Sequence, residues 1–244
     1  MVNLMHSTFS NGLKNSYINV KGADLAMTNV TLEIADSDSK ANGRGVKCTN
    51  CLSVNITNST FDALGGYQGG AVYLEDSSNG YMEGNTFHSN TARQGGAIYI
   101  YNSQLTVQNS TFLDNRAVSI SNETLNMLSY TTDMGAGGAI FFTCVDLSEE
   151  LSNYVETGAE KYKEPCAVDD KKCLKKVVIL PSYDQGNFTD AIAATDIKVT
   201  TNYDSCELIL KQNSFSGNGA DGNGADSNGD TIFWTNKLVK FVDN

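Results

Sequence analysis

Apolar and polar residues alternate in short runs along this chain. Leu52, Val54 and Ile56 are apolar with polar residues between them, and Leu105 and Val107 repeat the pattern. Such alternation predicts strands with one buried face, and no stretch carries helical spacing. The interval from Ile56 to Phe61, like that from Val107 to Phe112, is five residues, an odd number. Both ends can then face inward only if the chain turns a corner between them. The Asn-Ser-Thr words beginning at Asn58 and Asn109 supply that corner.

These strands belong to a repeat. Gly69-Gly70-Ala71-Val72-Tyr73 is followed by Asn85-Thr86-Phe87, and Gly95-Gly96-Ala97-Ile98-Tyr99 by Asn109-Ser110-Thr111-Phe112. Phe61 to Phe87 and Gly70 to Gly96 are both 26 residues, and Phe87 to Phe112 is 25. A third glycine word stands at Gly137-Gly138-Ala139-Ile140, a later Asn-Ser-Phe at Asn213-Ser214-Phe215, and a degenerate last copy at Thr231-Ile232-Phe233-Trp234. Upstream, Phe9 lies two periods before Phe61, and Gly45 precedes Phe61 by the 16 residues that separate Gly96 from Phe112. A unit of this size cannot bury its apolar face alone and must stack on its neighbours. The expected fold is therefore all-β: a right-handed parallel β-helix solenoid with coils of about 25 residues, forming a single domain over 1–244. Phe61, Phe87, Phe112 and Phe215 are expected to stack as an interior column, and Asn90, Asn115 and Asn218 as a hydrogen-bonded ladder at a turn.

The paired words Gly-Gly-Ala-Ile and Phe-x-x-Asn, complete at Gly95 to Ile98 and Phe112 to Asn115, resemble the repeats of chlamydial polymorphic outer membrane proteins within the pectin-lyase-like β-helix superfamily. Phe61 departs from the pattern, since Asp62-Ala63-Leu64 follows it without the Asn. The resemblance implies a surface-exposed β-helix. It names no ligand.

One interruption breaks the repeat. The glycine word normally precedes its Phe by 16 or 17 residues, but Gly138 precedes Phe215 by 77. An insertion at 145–205 follows, with Cys144 and Cys206 flanking it. A disulfide between those two would staple its base, leaving Cys166 with Cys173 and Cys48 with Cys51 as local bridges. Six cysteines in three bridges suit an oxidising compartment. Zinc at Cys48 and Cys51 lacks a second close-spaced pair, and a redox role lacks a βαβ context. The mixed charges and apolar runs of the insertion, such as Val177 to Leu180, predict packing on the solenoid flank and a first candidate for partner contact.

Charge narrows the partners. Seventeen basic against 28 acidic residues give a net charge of -11, which disfavours nucleic acid, and no apolar run approaches a membrane span. Six Asn-x-Ser/Thr sequons, at Asn29, Asn55, Asn58, Asn109, Asn122 and Asn187, are candidate N-glycosylation sites. The Gly/Asn/Asp loop places Asp221, Asp226 and Asp230 as weak candidate ligands for Ca²⁺, with a turn-rich connection as the plainer reading. No other cofactor is expected. Arg44, Arg93 and Arg116 fall in different repeats, the paired-Asp and Gly-His-Gly words of polygalacturonases do not occur, and Asp62 and Asp114 read as turn residues. The chain thus reads as a non-enzymatic extracellular or cell-surface protein, structural or adhesive. Its partners would be other surface proteins, glycans or its own copies stacked head to tail into a filament. The alternative is a β-helix that binds or cleaves polysaccharide.

Overall fold

A computed structural model describes residues 1–10, 15–33, 42–118, 135–143, 186–188, 197–200, 206–221 and 231–234. The chain winds through four faces per coil, which can be followed from Ile98. Face 1 holds Ile98–Tyr101, face 2 Gln104–Gln108, face 3 Thr111–Leu113 and face 4 Arg116–Val118. Each face is a sheet made by stacking equivalent strands, six each on faces 1, 2 and 3 and three on face 4 among the described residues, and faces 1 and 2 each carry one further, antiparallel strand at the end. Every pairing between consecutive coils is parallel and in register, so Ile98 lies between Val72 and Ile140, and Phe87 between Phe61 and Phe112.

Inward positions form unbroken columns. Val46, Val72, Ile98, Ile140 and Ile232 line face 1, and Met27, Ile56, Met82, Val107 and Leu210 line face 2, all essentially excluded from solvent. On face 3 the Phe column is a stack of rings: Phe61, Phe87, Phe112 and Phe215 follow one another at 4.7–4.8 Å between centroids, tilted by no more than 11°. The chain's β-spacing sets that distance, so the rings stack because the backbone rungs do. Leu32 continues the column below Phe61, and Phe9 pairs with Leu32. A second stack, Tyr73, Tyr99 and Phe141, runs on the outward side of face 1 at 5.2–5.3 Å.

The corners between faces are built from residues with positive φ. Between faces 2 and 3 these are His6, Asn29, Asn58, Gly84, Asn109 and Gln212; between faces 1 and 2, Gly22, Asn50, Asp76, Asn79 and Asn102. After face 3 come Ala63, Ser89, Asp114 and Gly217. Gly43, Gly69, Gly95 and Gly137 turn the corner into face 1. A Cβ on Gly95 would collide with the Ile98 carbonyl oxygen, and one on its neighbour Gly96 with the Gly138 carbonyl of the next coil, so the glycine pair is imposed by close backbone approach.

Three buried side-chain ladders hold the corners. Asn90 Nδ2 donates to Asn115 Oδ1, and Asn115 Nδ2 to Asn218 Oδ1, each at 2.9 Å. Each amide oxygen also accepts the backbone N–H of the Asn one coil before. Ahead of the Phe column, the Ser59 N–H donates to Asn85 Oδ1, that of Asn85 to Ser110 Oγ, and that of Ser110 to Asn213 Oδ1. At the corner between faces 1 and 2, the N–H of Cys51 donates to Ser77 Oγ and that of Ser77 to Ser103 Oγ. These ladders satisfy backbone groups that the turns leave outside the sheets.

Four details differ from the sequence reading. Leu52 is 63% exposed, because one more residue separates Cys51 from Val54 than separates Ser103 from Leu105, and the extra residue bulges outward. Gly45 aligns with Ala71, not with the close-packed Gly70, whose register position holds Arg44. The coil after Arg116–Val118 is longer than the one before it, since one residue separates Ala92 from Gln94 whereas 118–135 separate their register partners Ala117 and Ala136. The bridge expected between Cys48 and Cys51 is absent: both are free thiols. Cys48 points inward from its strand as a rung of the Val20 and Leu74 column, while Cys51 lies past the corner in the serine ladder, so the two belong to different columns of the coil.

The register of the flanking strands bounds the long insertion. Thr143 is the register partner of Tyr101, and Cys206 precedes Glu207, the partner of Gln104, so 144–205 replaces the single residue Asn102. Cys206 is buried and disulfide-bonded. With Cys48 and Cys51 free, its partner is among Cys144, Cys166 and Cys173, which lie outside the described residues. Val177 to Leu180 lie outside them too. The two strands of the insertion that are described, Gly186–Phe188 and Ile197–Thr200, pair at the end of the solenoid and not on its flank.

Candidate functional site

The residues with the most chemistry on the outer surface come from one coil and its two neighbours. From Gly80–Glu83 on face 2, Tyr81 and Glu83 point outward. Tyr81 Oη donates to Glu83 Oε2 at 2.8 Å. From the next coil, Gln108 Nε2 donates to Tyr81 Oη at 2.6 Å and to Glu83 Oε1 at 2.9 Å, and Asn109 Nδ2 donates to Glu83 Oε1 at 3.3 Å. The Tyr81 hydrogen bond, followed by those of the two amides, holds the Glu83 carboxyl below its ordinary range. The same bond to Glu83 pushes the Tyr81 phenol up.

Around the corner at Gly84, face 3 presents a second cluster. His88 Nδ1 lies 2.7 Å from Asp62 Oδ1 of the preceding coil, and Ser89 Oγ lies 3.1 Å from His88 Nε2. Both ionisable side chains are about two-fifths exposed, at 40% and 41%. Further on, the Arg93 guanidinium sits over the Tyr67 ring at 4.3 Å and donates to its hydroxyl at 2.9 Å.

The Asp62–His88–Ser89 chain has the distances of an acid-base relay. Acyl transfer also needs donors for a developing oxyanion, and the nearest are taken: the Ser89 N–H donates to the Leu113 carbonyl and that of Asn90 to Asn115 Oδ1. Glycoside hydrolysis needs a raised acid opposite a free base. Glu83 is instead held ionised by three donors, and Asp62 is engaged by His88. What both clusters offer is an ordered polar surface with an aromatic ring at its centre.

The remaining candidate residues fall as follows. Asn29, Asn58 and Asn109 are exposed on the single corner between faces 2 and 3, and Asn55 points outward from face 2. Asn187 lies in the strand Gly186–Phe188, and Asn122 lies outside the described residues. Asp221 ends the strand Gly219–Asp221 on face 4, while Asp226 and Asp230 lie outside the described residues. Among the described residues no three His, Cys, Asp or Glu side chains gather as metal ligands. The two free thiols are asymmetric: the hydrogen bond between them, with burial added, pushes the Cys48 thiol up, while the same bond holds Cys51 below its ordinary value against the opposing effect of burial.

Sequence reasoning passed over Tyr81, Glu83 and Gln108 and took His88 only as part of a repeat word. The signal was in the spacing: Asp62 and His88 are 26 residues apart and Glu83 and Gln108 are 25, each one coil.

The sequence model described as "Right handed beta helix region" matches residues 3–132, more than half of the chain. The chain belongs to that family. The stacked parallel strands, continued by the same columns through Ile232–Trp234, extend this β-helix beyond the matched residues. The match carries the fold, consistent with the pectin-lyase-like superfamily, and not the narrower likeness to chlamydial outer membrane proteins. No curated protein and no solved structure matches the chain. Among the described residues no helix is long and apolar enough to cross a membrane.

Proposed function

We propose that this β-helix is a non-enzymatic extracellular or cell-surface protein with a structural or adhesive role, acting through its lateral faces. The observation that carries this reading is the state of its reactive-looking side chains. Asp62, His88 and Ser89 satisfy one another, and the adjacent backbone donors are committed, the Ser89 N–H to the Leu113 carbonyl and the Asn90 N–H to the asparagine ladder. A rigid repeating surface of satisfied polar groups suits recognition by area, and the net charge of -11 favours neutral or cationic partners. Filament growth by end-to-end stacking finds less support, because the last described strands of faces 1 and 2 already have partners on both sides.

A second reading, binding of polysaccharide, is favoured by the Tyr81 ring flanked by Glu83, Gln108 and Asn109, a plane beside fixed donors and acceptors. Immobilised glycans and surface-protein extracts separate the two. Retention by the extract without glycan binding supports adhesion to protein, and glycan binding lost in Tyr81→Ala selects the second reading. Release of unsaturated or reducing sugars from pectin or alginate at a steady rate overturns the non-enzymatic proposal.

A further inference from the structure

Two described strands depart from the parallel pattern, and both belong to the excursion that follows Thr143. Ile197–Thr200 runs antiparallel to Glu207–Lys211, with Ile197 opposite Leu210 and Thr200 opposite Glu207. Gly186–Phe188 runs antiparallel to Ile232–Trp234. Among the described residues those two partners are the last rungs of faces 2 and 1, and each pairs on its other side with the preceding coil. Without the excursion, each rung would present a row of free N–H and C=O groups in the parallel register that joins every coil to the next. Such an edge is a template for a coil of another molecule.

We infer that the excursion is the end cap of the solenoid, and that the surface it covers is one on which a second copy of this chain would otherwise stack. Its point of insertion fits that role. A single residue, Asn102, joins Tyr101 to Ser103, whereas 144–205 joins the equivalent Thr143 and Cys206. The excursion therefore leaves face 1 and re-enters face 2 at Glu207–Lys211, the rung that its own strand Ile197–Thr200 covers. Only 201–206 separate the two antiparallel strands, a short connection of the kind antiparallel pairing allows. An excursion serving a lateral face can leave from any coil, but one that covers the end has to leave near it. The cap covers faces 1 and 2. On faces 3 and 4, Ser214–Ser216 and Gly219–Asp221 are the last strands among the described residues.

The test removes the cap and keeps the coil. In one variant a single Asn replaces 144–205 and Cys206→Ser accompanies it, which copies Tyr101-Asn102-Ser103 and restores the serine ladder. A milder variant is Lys198→Pro with Val199→Pro, since of two consecutive strand amides one faces the neighbouring strand. Hydrogen exchange is followed by residue, and sedimentation over a range of protein concentration. In both variants the amides of Leu208 and Leu210, which face away from the preceding coil and toward Ile197–Thr200, should exchange at least about tenfold faster while those of Thr86–His88 and Thr111–Leu113 stay protected. The deletion variant should associate at a concentration about tenfold lower than the intact chain. Unchanged protection of Leu208 and Leu210 in the proline variant overturns the cap, and faster exchange without association overturns the stacking surface. Loss of protection at Thr86–His88 also overturns it, because the excursion would then support the inner coils and not cover their end.

Discussion

Cys48 and Cys51 show how far position outweighs residue type. Cys48 sits between Val20 and Leu74 in an interior column, where its thiol behaves as a small apolar group. Cys51 occupies the place held by Ser77 and Ser103 in the following coils, with its N–H on Ser77 Oγ at 3.1 Å and its Sγ 3.7 Å from the Val20 carbonyl oxygen. Ser77 and Ser103 instead donate to the carbonyl two residues before them in their own coil, Glu75 and Tyr101, a bond a hydroxyl at position 51 could make to Thr49. Cys51→Ser should therefore be tolerated within about 0.5 kcal/mol, since the ladder is built for a hydroxyl. Cys48→Ser should cost about 1–3 kcal/mol, because a hydroxyl enters an interior column between Val20 and Leu74. Urea midpoints of the two variants decide this, and equal costs would reject the column assignment.

At the level of strands and corners, the sequence carried the architecture because its words are short and periodic. The five-residue interval from Val107 to Phe112 demanded a corner, and Asn109 turns it with φ of 48°. The sequons Asn29, Asn58 and Asn109 are then products of the same grammar: an Asn that tolerates positive φ, an inward residue, and an outward Thr. Less was legible where one coil differs from the next by a single residue, as at Leu52, or where an excursion of uncharacteristic composition supplies strands to the end, as at Ile197–Thr200. Contacts between coils, such as Gln108 with Glu83, leave no mark in either local word. They emerge only after the coils are aligned. The corner reading predicts opposite outcomes for two changes at Asn109. Asn109→Gly keeps the conformation and should shift stability by less than about 1 kcal/mol, whereas Asn109→Val forces a β-branched residue into positive φ and should cost about 2 kcal/mol or more. Thermal unfolding of both variants checks it, and a milder effect for Val than for Gly would refute it.

Across the whole molecule, stability is a sum over coils and the interfaces between them, because each coil touches only its neighbours. The Phe column makes that arithmetic measurable. Phe87 is fully buried and stacks on Phe61 at 4.8 Å and on Phe112 at 4.7 Å. Phe215 stacks on Phe112 at 4.7 Å as the last ring of the column among the described residues, and it retains 6% of its exposure. Phe87→Ala removes apolar area, two ring contacts and the filling of an inner coil, for which about 3–5 kcal/mol is the expected cost. Phe215→Ala loses one ring contact at a coil next to the end, where the chain can relax around the vacancy, so its cost should be about half as large. The asymmetry should also show in hydrogen exchange. Phe87→Ala would expose the amides of both Thr60–Asp62 and Thr111–Leu113, while Phe215→Ala would leave Thr60–Asp62 protected. Equal costs and equal spread of exchange would mean that the solenoid unfolds as one indivisible unit, and the nearest-neighbour description would have to be abandoned.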